Sequence, residues 1–187
     1  AHSGAPKSSL HQGYEKKDGL PEPGQPGAFA DLEALVQWVI GSSPAQFRSE
    51  AESRLRLSDF VDWWVLVTLT ESGDSAGKNA YLYHDPTQGG GWRFAPWDFN
   101  HSFGQDWETH RVPPDQPTSY RDFNRIFALL LDDPTSQSML RARYAELLAG
   151  SLSETNLQAH VDSMWVEIEP AARRDWRRWG DAHRTFS

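Results

Sequence analysis

From residue 29 onward the apolar positions of this chain recur mostly at helical spacing, and midway the spacing changes to that of strands. Phe29, Leu32, Leu35, Val36 and Val39 share one helical face and Gly41 follows as a stop, so the pattern predicts a helix over 29–40. A second, more polar helix is predicted over 44–55. Ser58 and Asp59 signal the start of a third over 60–70, whose FVDWWVLVTLT is apolar on nearly every face. Such a helix belongs in a core, with Trp63 and Trp64 as packing residues. Phe123, Ile126, Phe127 and Leu130 predict a helix over 120–131. Asp133 and Pro134 form a cap and first turn for another, reaching 149 before Gly150. Ser153 opens the last, with Leu157, Val161, Met164, Trp165 and Ile168 as its stripe. Pro170 is expected to kink or restart that helix, and the arginines beyond it to form a solvated basic face.

The interruption lies between residues 74 and 104. Residues 81–84 and 92–96 are short, aromatic-rich runs separated by Asp85, Pro86 and three glycines, which signals a β-hairpin. Hairpin strands are antiparallel, so the entry to the first and the exit from the second lie side by side. Asp74 and Asn79 enter the hairpin, while Asp98 and Asn100 leave it. The topology therefore predicts two carboxylates and two carboxamides at one sheet edge, a set of hard oxygen donors suited to Mg²⁺ with substrate phosphates. Asp, four residues, Asn and then a later Asp is also the order of catalytic and metal-binding groups in protein kinases. Loop aspartates also cap turns, and the spacing by itself leaves both readings open.

The run NAYLYHDPTQGGGWRFAPWDFNHSFG, residues 79–104, resembles the aromatic-rich signature of the spore coat protein H (CotH-like) kinases, a family of atypical protein-kinase-like fold. The resemblance extends from about Tyr14 to about Gly180. It implies an α+β, mostly helical fold, similar to the larger, C-terminal lobe of a kinase, with one hairpin carrying the catalytic and metal loops. In that reading Asp74 is the catalytic carboxylate, Asn79 and Asp98 hold Mg²⁺ or Mn²⁺ with Asn100 assisting, and Trp92 stacks on the adenine of ATP. Asn100 stands where the family usually has a second Asp, which removes one negative charge from the metal set. The resemblance further implies transfer of the γ-phosphoryl group of ATP to a protein hydroxyl. It also implies an extracellular or cell-surface location, and a preceding lobe that supplies a phosphate-binding lysine. Residues 1–28, rich in Gly, Pro, Ser and Lys, read as a flexible linker or the tail of that lobe, and 29–187 as the helical lobe itself.

Composition narrows the partners. At 187 residues with 38% hydrophobic positions, the chain has enough apolar material for one domain. A net charge of −8 argues against nucleic acid or an anionic membrane as a main partner, although a bound cation reverses the sign locally. With no cysteine there is no disulfide, thiol chemistry or cysteine-ligated metal. No stretch approaches the roughly 20 apolar residues of a membrane span. His101 and His110 lack the spacing of a histidine metal site, and Lys78 is either a phosphate-neutralising group or a solvated turn residue. The rival to a kinase is a catalytically inactive kinase-like module for binding or surface assembly. A metal-dependent phosphoesterase ranks third, for want of ligands for a second metal.

Overall fold

The computed structural model describes residues 8–85, 87, 90–106, 108, 110–113, 115 and 119–183. Residues 1–7 of the predicted linker and Pro86, Gln88 and Gly89 of the predicted turn lie outside that set. The chain forms two compact units, Ala1–Leu140 and Arg141–Ser187. It is mostly helical, with α1 (Ala30–Gly41), α2 (Pro44–Arg54), α3 (Leu57–Leu69), α4 (Arg125–Asp132), α5 (Pro134–Ala149) and α6 (Glu154–His183), and among the described residues it has one antiparallel strand pair, β1 (Ala80–Tyr83) and β2 (Arg93–Pro96). The helix-and-hairpin order follows the apolar spacing of the sequence.

Caps set the helix boundaries. Ser43 accepts the Gln46 amide at 3.2 Å ahead of Pro44, whose missing N–H costs nothing in a first turn. Asp133 does the same for α5, taking the Ser136 amide at 2.8 Å. The helix predicted from residue 120 instead starts at Arg125, because the Asn124 side chain accepts the Phe127 amide at 2.9 Å and so fixes the N-terminus there. Phe123 lies outside that helix and is exposed, while Tyr120 is buried with its ring 5.3 Å from that of Phe123. α6 runs unbroken through Pro170. Its stripe has the predicted period, but Val161, Trp165 and Ile168 are exposed.

The core of the first unit is centred on α3, which places Phe60, Val65 and Val67 out of solvent. Trp63 lies flat on Phe94 of β2, ring centres 4.1 Å apart, and is tilted against Phe127 of α4 at 4.9 Å. One aromatic cluster thus joins helix, hairpin and the following helix, and offset stacking of this kind adds to the burial of large apolar area. The hairpin is seated a second time at its other end. Trp92 donates its amide to the Arg54 carbonyl and accepts from the Arg56 amide, both at 2.8 Å, so β2 starts against the end of α2. Gly91 permits the approach, since a Cβ there would lie 2.4 Å from backbone atoms of Arg54 and Leu55.

Candidate functional site

The register of the hairpin decides which loops meet. Ala80 pairs with Pro96 and Tyr83 with Arg93, so Asn79 and Trp97 leave the same end of the ladder. α3 delivers the chain to this end through Thr70, and residues Asp74–Ala76 close as one 3-10 turn. The indole Nε1 of Trp63 donates to the Ser75 carbonyl at 2.8 Å, which anchors that turn in the core. Gly77 lets it press on residue 123, where a Cβ would meet the Phe123 carbonyl oxygen at 2.7 Å.

Asp74 is the most constrained carboxylate here. Asn79 donates its amide nitrogen to Oδ2 at 2.6 Å, and the Lys78 ammonium lies 2.6 Å from Oδ1. Both oxygens are therefore oriented, and the side chain keeps 28% of its exposure, enough to meet a solute. It lines a cavity of about 620 Å³ together with Glu71, Lys78, His101, Asp106 and Ser119. Lys78, open in the sequence between two readings, is placed in this site by its ion pair.

Asp98 differs. It is exposed, and among the described residues no hydrogen bond or ion pair engages its carboxylate, whereas its carbonyl accepts from Ser75 Oγ at 3.2 Å. The loop backbone is thus tied to the residue after Asp74 while the acid remains available. It lines a second cavity, about 540 Å³, with Trp97, Phe99, Ser102 and Phe103. Asn79 and Asp98 both sit in the left-handed region, φ 55° and 57°. For a divalent cation the donor set fits: Asn79 spends its NH₂ on Asp74, leaving the amide oxygen as donor, and the open Asp98 carboxylate and the exposed Asn100 stand on the neighbouring loop.

Trp92 lies at the opposite end of the hairpin from Asp98. It is half-buried and stacks on His84 at 4.9 Å, and His84 in turn contacts Asp31 of α1 at 3.3 Å. The aromatic next to Asp98 is Trp97, exposed, with Tyr81 edge-on at 5.4 Å. His101 lines the Asp74 cavity. His110 belongs to an exposed group with Asp106 and Glu108, whose ligand atoms lie within 4.8 Å of one another. There Asp106 Oδ1 accepts the amides of Glu108 and His110, each at 2.9 Å, the arrangement of a tight acidic turn.

Residues that the sequence did not single out complete the site. Ser72, Ser75 and Ser102 are buried or half-buried hydroxyls between the two loops, and their only sequence signal is small polar residues on either side of the acidic positions.

No helix among the described residues is long and apolar enough to cross a membrane. A family model described as CotH kinase protein matches residues 2–186. Inner spore coat protein H of Bacillus subtilis (strain 168) is 26% identical over 182 residues, which cover 95% of this chain and 47% of that protein. The chain therefore spans about half the length of this curated relative. With the match extending from the linker through α6, and with Asn79 and Asp98 flanking the same end of the hairpin ladder, the chain belongs to the CotH kinase protein family.

Proposed function

We propose that this chain is the catalytic lobe of a phosphotransferase that passes the γ-phosphoryl group of ATP to a protein hydroxyl. The observation that carries the reading is Asp74, a half-buried carboxylate held on both oxygens and facing a cavity, one residue from the Ser75 hydroxyl that ties down the Asp98 loop. Asp74 accepts a hydrogen bond from the incoming hydroxyl and orients its oxygen toward phosphorus. The new O–P bond forms as the bond to ADP breaks, and the hydroxyl proton is left with Asp74. Asn79 and Asp98, assisted by Asn100, would hold Mg²⁺ or Mn²⁺, which when bound supplies positive charge against the phosphates. Lys78 offsets negative charge on the acceptor side, whereas the adenine-stacking role expected of Trp92 is not carried forward, because its ring is stacked on His84 at the far end of the hairpin from Asp98. Spore coat protein H is the named relative, and a coat or cell-surface location is proposed on that likeness.

A second reading has its own support. Asn100 supplies an amide where an acid would add charge, which favours an inactive module for binding or assembly. One titration separates the two. Mg²⁺ and ATP are added to the chain and to Asp98→Ala while tryptophan fluorescence is followed, alongside ADP release by the full product of the gene. A metal-dependent change that is lost in the variant, together with ADP release, supports the phosphotransferase. Binding without turnover supports the module.

A further inference from the structure

The loop that carries Asp98 is exposed on its outer side and fastened on its inner side, and the fastening is made of hydroxyls. Ser72 is fully buried, and its Oγ lies 2.7 Å from Oγ of Ser102, thirty residues later. Ser102 donates onward to the Phe99 carbonyl at 2.5 Å. Each hydroxyl carries one hydrogen, so this second bond obliges Ser102 to accept from Ser72. Thr70 Oγ1, at the end of α3, is 2.8 Å from Ser72 Oγ and also 2.8 Å from the Leu66 carbonyl, so its one hydrogen serves either Ser72 or the helix. The Phe103 amide also donates to the Thr70 carbonyl, and Ser75 donates to the Asp98 carbonyl. Every one of these bonds runs between residues 70–75 and residues 98–103, or orders a group that does.

We propose that Ser72 and Ser102 form a latch that sets the Asp98 loop in register with the Asp74 loop, which makes them positioning residues of the site. The consequence for metal and nucleotide rests on the phosphotransferase reading; the coupling of the two loops does not. Aligned hydroxyls polarise one another in low dielectric, and a buried member left without its partner is costly, so the latch loses its hold when either serine is removed.

The test compares Ser72→Ala, Ser102→Ala, the double variant and Ser42→Ala. Ser42 is the control, a buried hydroxyl outside the site that donates to the Trp38 carbonyl at 2.7 Å. Hydrogen exchange of amides 99–103 is expected to speed up about tenfold in each single latch variant, and no further in the double, with Ser42→Ala unchanged. Unchanged exchange in Ser72→Ala, or equal acceleration in Ser42→Ala, overturns the latch. Mn²⁺–ATP affinity, read by tryptophan fluorescence on the full product of the gene, should fall about tenfold in parallel and recover in Ser102→Thr. Full affinity in variants whose loop has been loosened refutes the positioning role. A wild type that shows the coupled exchange but binds no Mn²⁺–ATP supports the latch and overturns the phosphotransferase reading.

Discussion

Two aspartates end up at the same edge of one hairpin and are treated in opposite ways. Asp74 is gripped by Asn79 and Lys78, one on each oxygen, whereas the Asp98 carboxylate is left open and only its backbone is held. A group that must present one oxygen to a hydroxyl gains from a fixed rotamer, because orientation is settled before the substrate arrives. A group that must close on a cation gains from being unpaired, since any partner would have to be displaced. In the proposed phosphotransferase, the contrast matches different work for chemically identical side chains.

The contrast is breakable by mutation. Asp74→Asn keeps the shape but removes the proton acceptor, and transfer should fall about 100- to 10,000-fold with nucleotide binding unchanged; equal loss of binding erases the distinction. Asp98→Ala should weaken metal-dependent nucleotide binding by about 100-fold or more, beyond the usual cost of losing a supporting partner. Titration calorimetry with Mn²⁺–ATP measures it. Lys78→Met tests the grip itself. The ion pair is 42% exposed on the lysine side, so a loss of only about threefold in transfer is expected, with no change in binding.

The smallest effect lies away from both loops and serves as a reference. The Ser136 amide, with help from Arg48, holds Asp133 below the usual carboxylate range. A carboxyl whose folded pKa is depressed contributes its stability above its unfolded value, about 3.9, and loses it as pH falls through the lower folded value. Thermal melts between pH 5 and pH 2 should show that component, and Asp133→Asn should flatten it without touching metal affinity.

Much of this arrangement could be read from residue order. The aromatic runs 81–84 and 92–96 with glycines between them fixed the hairpin, and antiparallel pairing then brought Asn79 and Asp98 to one end. Distance along the chain is short here, so local rules suffice. They fail where a partner is remote. Tyr120 and Phe123 have helical spacing with Ile126 and Phe127, yet the Asn124 cap wins locally and leaves them to pack as loop residues. In α6 the period is right and burial is not, because periodicity reports which residues share a face and says nothing of what covers it. The serine latch was illegible for a similar reason. Ser72 and Ser102 pair only because the end of α3 and the exit of β2 arrive together.

The left-handed backbone at Asn79 and Asp98 gives these two positions a second identity. Among residues with a Cβ, Asn and Asp enter that region at least cost, and they are also the side chains that offer a short oxygen donor. If the proposed metal site exists, two filters, one conformational and one chemical, act on the same pair of positions. Exchange of Asn for Asp passes both, glycine passes only the first, and glutamate offers a carboxylate on a backbone that resists it. In a saturation library selected for folding alone, glycine should persist at 79 and 98, and a further selection for metal binding should remove it.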